Sequence, residues 1–253
     1  MLCDLFLIMR KFIISFVSAL IVFLILSASI IFLPTVEFDK NNQADFSNMR
    51  YLAFGDSITQ GDGLVSSKDS YPCVVSDILG CEVVNKGISG STLGYTSERH
   101  CIADTVIDVC SNDKDFQIIS VMGGTNDVWW NIPLGTIKDN SHDTIYGSLN
   151  LIASYLKTNY KDAFIFFMTP LQNNHTDYVN DAGYTLRDIA NAVRLVGNKY
   201  NIPVLDMFNE GRFEEVESGM YNPDCDGTHP LKEYVHDYMS PQIAQFIKDN
   251  YKK

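Results

Sequence analysis

Five short apolar runs organise this chain, at residues 51–54 (YLAF), 81–84 (CEVV), 116–122 (FQIISVM), 163–168 (AFIFFM) and 203–205 (PVL). They have the length of strands and carry few polar residues, the pattern of strands buried on both faces. The stretches between them are too long for hairpins. Helical spacing runs through residues 70–79, 144–160 (TIYGSLNLIASYLKTNY) and 181–200, and a last helix is expected over 231–250. Strands alternating with helices imply parallel strands joined by right-handed crossovers, with helices on both sheet faces. The expected fold is α/β: a three-layer α/β/α sandwich around a central parallel sheet of about five strands.

Ahead of the first strand lies residues 12–33 (FIISFVSALIVFLILSASIIFL), a run without a charged residue. As a helix it would be roughly 33 Å long, enough to cross a bilayer core of about 30 Å. Arg10 and Lys11 precede it and Glu37 and Asp39 follow it, which orients the N-terminus to the cytoplasm and exports the remainder. The expected organisation is a short cytoplasmic N-terminus (1–11), a transmembrane signal-anchor (12–33), a polar linker (34–49) and a catalytic domain (50–253). Small residues at Ser27, Ala28 and Ser29 leave a cleaved signal peptide, and hence secretion, as the alternative. A linker of roughly 16 residues has a root-mean-square reach of about 20–24 Å if it is a flexible coil. A chain started near Asn48 is expected to fold and keep its activity.

The whole chain carries a net charge of −12 over 253 residues, of which 46% are hydrophobic, so it can bury one sizeable core and is a poor partner for nucleic acid. Cys3 precedes the apolar run; Cys73, Cys81, Cys101, Cys110 and Cys225 follow it. Five is odd, so at least one thiol stays free or pairs between chains, and buried unpaired cysteines are an equally good reading. With no CxxC spacing, and no calcium-loop spacing among Asp104, Asp108, Asp113 and Asp115, no metal or cofactor is expected.

Open parallel sheets bind ligands beyond the carboxyl ends of their strands. Four segments there carry chemistry: GDSIT with Ser57, NKGISGST with Gly90, GGTND with Asn126, and DGTHP with Asp226 and His229. Acyl transfer by a serine requires a base, a group to orient that base, and donors for the oxyanion. His229 is a candidate base, Asp226 three residues earlier can accept from its other ring nitrogen, and Ser57 N–H, Gly90 N–H and the Asn126 amide can face the oxyanion. Asp62 and Asp127 are expected to hold loops. His100, His142, His175 and His236 lie outside the four segments and are expected to be solvated or structural.

In their order, these segments resemble the blocks of the SGNH hydrolase superfamily, the GDSL esterases and lipases, over about residues 51–253. The resemblance implies a flavodoxin-like fold, Ser57 as nucleophile and oxyanion donor, Gly90 and Asn126 as further donors, His229 as base and Asp226 as its partner. Ile58 replaces the leucine of GDSL, a conservative change. The G-x-S-x-G elbow of α/β-hydrolases is absent.

Trp129 and Trp130 follow Asn126 closely and are candidate substrate contacts, able to stack on a sugar or floor an acyl pocket; the alternative is that at least one of them simply packs the loop. With the polar loop 169–180 they favour a short acyl group such as acetyl on a carbohydrate. The alternatives are a lipase acting on longer chains, a cell-envelope O-acyltransferase using the same residues, and an inactive binding module.

Overall fold

The computed structural model describes residues 44–216 and 226–252. Its sheet has five parallel strands, β1 (Arg50–Gly55), β2 (Glu82–Gly87), β3 (Ile118–Met122), β4 (Phe164–Met168) and β5 (Val204–Leu205), in the order β2-β1-β3-β4-β5. The chain leaves β1 for one edge and then returns past it to β3. The switch point between β1 and β3 is where such a sheet opens a crevice.

The helices are α1 (Ser57–Gln60), α2 (Tyr71–Leu79), α3 (Ile102–Asn112), α4 (Thr125–Trp129), α5 (Ile145–Asn159), α6 (Leu186–Tyr200), α7 (Met207–Glu210), α8 (Lys232–Tyr234) and α9 (Ser240–Asn250). Alternate strand residues face opposite layers. Leu52, Phe54, Ile119, Val121, Ile165 and Phe167 pack with α3, α5 and α6. Tyr51, Ala53, Ile118, Met122, Phe166 and Met168 pack with α2 and α9. The sheet is thus covered on both sides.

Several boundaries differ from the sequence reading. Strand β2 continues through Asn85 and Lys86 to Gly87, residues assigned above to a loop. Helix α3 was not anticipated: Ile102, Val106 and Cys110 line its buried face, and the interleaved Asp104 and Asp108 hide that period. Helix α6 begins at Leu186, where Thr185 and Asp188 form a capping box, and not at Asp181. The C-terminal helix is interrupted by a π turn over Val235–Met239, in which Ser240 N–H donates to Val235 O. Pro241 accounts for it, because a proline has no N–H to continue an α ladder and its ring crowds the carbonyl four residues back.

The folded body also starts earlier than residue 50. Phe46 and Met49 are buried beneath the α2 and α9 layer, and Glu82 N–H donates to Met49 O, so a chain started at Asn48 would lose a core side chain. The segments expected as cytoplasmic terminus and membrane anchor, and the linker as far as residue 43, lie outside the described residues. Among the described residues no helix is long and apolar enough to cross a membrane. Cys73, Cys81, Cys101 and Cys110 are free thiols, and burial pushes the Cys81 thiol up to about 11; Cys225 is outside the described residues.

Candidate active site

Ser57 opens helix α1 directly beyond β1. Asp56 caps that helix, its carboxylate accepting from Ile58 N–H at 3.1 Å, which turns the chain sharply and leaves Ser57 at the sheet edge, 7% exposed. The end of β2 is drawn tightly onto α1. Asn85 Nδ2 donates to Thr59 O at 2.7 Å, and Ser89 N–H donates to Gln60 Oε1 at 2.8 Å. Ser89 Oγ also donates to the Asp62 carboxylate, giving Asp62 the loop-holding part expected of it. Gly87 permits this approach, since a side-chain carbon there would fall against Gln60 N and within 2.6 Å of Thr59 C.

The histidine arrives from the other end of the chain. His229 Nε2 lies 2.8 Å from Ser57 Oγ, and His229 Nδ1 lies 2.7 Å from Asp226 Oδ2. A carboxylate can only accept, so Nδ1 carries the hydrogen and Nε2 presents a lone pair to the serine hydroxyl. Asp226 Oδ1 accepts in addition from Thr228 N–H at 2.8 Å and His229 N–H at 2.7 Å. Partial burial works to raise the Asp226 carboxyl, and these hydrogen bonds outweigh it and hold the group below the usual carboxylate range.

The three expected oxyanion donors lie on elements bonded to one another. Gly90 stands in a turn closed by Ser91 N–H to Ile88 O, with φ of 74°, between Ser89, which is tied to α1, and Ser91. Ser91 O accepts from Asn126 Nδ2 at 2.9 Å, leaving the second amide hydrogen of Asn126 for a ligand. Among the described residues, neither Ser57 N–H nor Gly90 N–H meets a protein acceptor. Next to Asn126, the fully buried Asp127 accepts from Leu93 N–H and Gly94 N–H, each at 2.9 Å, and so holds the following loop as expected. Burial pushes the Asp127 carboxyl up to about 7 and that of Asp56 up to about 6.

The adjacent tryptophans part company. Trp129 is 45% exposed; it stacks on Tyr178 at 5.3 Å and meets His175 edge-on at 4.7 Å. Trp130 packs against the core, with Arg99 over its ring at 4.3 Å. Asn174 N–H donates to Gly227 O at 3.0 Å, which places the loop bearing His175 and Tyr178 against the loop bearing His229. His175, expected to be solvated or structural, stands instead beside Trp129; the polar loop 169–180 was singled out without Tyr178 being named, and Arg99 escaped the sequence reading, its signal being its position on a loop that leaves the same sheet edge. His142 pairs with Asp104 at 2.9 Å and His236 with Asp69 at 3.1 Å.

No curated protein is similar enough to match the chain. Solved structures do match in fold. A protein from Lactobacillus plantarum is 24% identical, with 81% of this chain and 99% of that one covered at a TM-score of 0.69. For a possible lipase from Chitinophaga pinensis the figures are 22%, 80%, 98% and 0.64. For the inhibitor-bound form of M. smegmatis aryl esterase they are 16%, 80%, 100% and 0.62. The model of the GDSL-like lipase/acylhydrolase family matches residues 53–233, a span that runs from β1 past His229. The chain belongs to that family and is a carboxylic ester hydrolase.

Proposed function

We propose that the protein is an exported, membrane-anchored serine esterase that removes short acyl groups, acetyl foremost, from carbohydrate. The observation that carries the chemistry is the relay of 2.8 and 2.7 Å through His229, set beside two N–H groups that meet no protein acceptor among the described residues. Ser57 Oγ attacks the ester carbonyl as His229 Nε2 takes its proton, and Asp226 stabilises the resulting imidazolium. Negative charge builds on the carbonyl oxygen, where Ser57 N–H, Gly90 N–H and Asn126 Nδ2 donate to it. The C–O bond to the alcohol then breaks, and His229 returns the proton to that oxygen. Water repeats the cycle on the acyl-serine and releases the acid.

The substrate reading is supported by Trp129 and Tyr178, an exposed stacked pair beside the catalytic loop, and by the exposed polar side chains of Asn174 and His175. Flat aromatic faces with polar neighbours suit a sugar ring better than an extended acyl chain. Export and anchoring are supported by residues 12–33 and the flanking Arg10 and Lys11.

A panel of p-nitrophenyl esters of graded chain length, run beside acetylated polysaccharides, tests the specificity. Acetyl esters should be cleaved fastest and acetate should be released from the polymer; a maximum at eight carbons or beyond would make the protein a lipase. Adding a sugar acceptor reports on transfer, because an acyltransferase would divert product from acetate to acetylated sugar. The intact protein should sediment with membranes, and protease added to whole cells should remove the domain. Full-length protein in the cytosol would overturn the topology.

A further inference from the structure

Arg99 is set apart from the other arginines of the described domain. Arg50, Arg187, Arg194 and Arg212 each lie within 4.0 Å of a carboxylate, at 3.0 Å from Asp113, 3.8 Å from Asp177, 2.8 Å from Asp206 and 2.8 Å from Glu215. Arg99 has no carboxylate at ion-pair distance among the described residues, although the chain carries 31 acidic residues against 19 basic ones. It lies instead over the Trp130 ring, Cζ 4.3 Å from the centroid. Trp130 is itself wedged against the core. A guanidinium held over an indole by its ring face still has N–H donors to offer an oxyanion.

Its place in the site matters as much. A side-chain carbon at position 90 would stand 3.4 Å from Arg99 Nη1, so the guanidinium leans on the glycine whose N–H faces the reacting carbonyl oxygen in the proposed mechanism. The loop carrying it is fixed at both stems: Leu93 and Gly94 N–H donate to Asp127, and Thr92 N–H donates to His100 O. Thr96 and Arg99 bridge across its tip. The cation is therefore held where a substituent of the substrate would pass.

From this geometry we infer that Arg99 recognises an oxyanion, a carboxylate or a phosphate, carried by the alcohol portion of the ester. The inference rests on the reading of Ser57, Gly90 and Asn126 as the reacting end of the site. An acylated acidic glycan, bearing uronate or phosphate groups, is the substrate class that combines it with the Trp129 and Tyr178 faces. A fixed arginine also answers a physical difficulty, because the net charge of −12 repels an anionic substrate at long range. Local pairing with a guanidinium offsets that repulsion at the point where binding is decided.

The test compares kcat/KM for 4-acetoxybenzoate, 4-acetoxyphenyl phosphate and the neutral methyl 4-acetoxybenzoate, in the wild type and in Arg99 variants. Comparing the anionic-to-neutral ratio between variants cancels the intrinsic reactivity of each ester. Arg99→Gln should lower that ratio on the order of fivefold to tenfold. Arg99→Lys, which keeps the charge and loses the fork, should recover part of it. Salt near 1 M, where the Debye length is about 3 Å, should shrink the wild-type ratio. A larger effect on the benzoate than on the phosphate ester identifies a uronate-like group, and the reverse identifies a phosphate; either supports the inference. An unchanged ratio in Arg99→Gln, or an equal fall on all three esters, overturns it. If no ester is cleaved, or if Ser57→Ala cleaves them as well as the wild type, the failure lies in the underlying catalytic reading.

Discussion

The two halves of the catalytic site are built differently. The nucleophile side is part of the sheet: Asp56 and Asp127 are buried, Ser57 nearly so, and β2, α1 and α4 are tied together through backbone and amide hydrogen bonds. The base side is a loop. The Asp226 side chain is 57% exposed and that of His229 26%; the turn is held by its own Asp226 bonds and by Asn174 N–H to Gly227 O. Stabilising charge in a transition state demands donors that need not rearrange, whereas a group that shuttles a proton between serine and alcohol benefits from a little travel. The rigid half therefore holds the oxyanion donors, and the looser half holds the proton carrier.

Substitutions can break this contrast, and the greatest effect should come from Ser57→Ala. Loss of the nucleophile should lower kcat by several orders of magnitude with the thermal midpoint unchanged. Near-normal ester hydrolysis by that variant would remove Ser57 from the mechanism. Asn126→Ala comes next, with a fall of roughly 100- to 1,000-fold in kcat and little change in KM, the signature of a donor used mainly in the transition state. A raised KM at constant kcat would make it a substrate contact instead.

A glycine pair then compares the halves by stability alone. At Gly87 the added carbon of alanine meets Gln60 and Thr59 backbone, which cannot step aside, and denaturant titration should show a loss of about 2–3 kcal/mol or more. At Gly227, φ is 79° and the carbon meets the Asn174 side-chain amide, which can swing away, so only the left-handed strain of about 1–2 kcal/mol should remain. Equal losses would erase the difference between the halves.

The smallest effect is a pH slope. The folded pKa of Asp127, about 7, lies above its ordinary 3.8, so the protonated form is favoured by folding. The associated stability is present below about pH 4 and is lost as pH rises toward 7, with a slope of at most about 1.4 kcal/mol per pH unit per proton. Asp56 adds to the same decline up to about pH 6. Thermal midpoints of the wild type should fall across this window, and those of Asp127→Asn should fall less. Identical slopes would show that Asp127 titrates alike in the folded and unfolded chain.

Legibility in the sequence followed the same division of physical causes. Strand cores such as FIFFM and IISVM announce themselves because burial on both faces leaves almost no polar residue in the run; Ser120 is the one exception, and its hydroxyl is paired with that of Tyr51. Of the chemical contacts, only that of Asp226 with His229 lies within one short segment; the contact of Ser57 with His229 spans 172 residues and could be expected only from blocks placed at the ends of parallel strands. What could not be read depends on how loops fold back. Nothing local to Trp130 says that Arg99 will cover it, and nothing local to Trp129 says that His175 and Tyr178 will join it. Burial of Phe46 was hidden in a mostly polar segment with no sustained apolar period. Helix α3 was missed for a different reason, because its acidic residues alternate with its buried ones closely enough to blur the period.

The π turn at Val235–Met239 amounts to one residue more than an α-helix between its flanks would hold. Each residue of an α-helix turns the chain by about 100°, so an ordinary insertion would rotate everything beyond it off its docking face. Here Tyr234 before the turn, Val235 and Met239 at its two ends, and Ile243, Ala244 and Ile247 after it all reach the same core. The bulge therefore works as a slack loop in the register. A residue gained or lost within 235–239 should therefore leave both flanks seated.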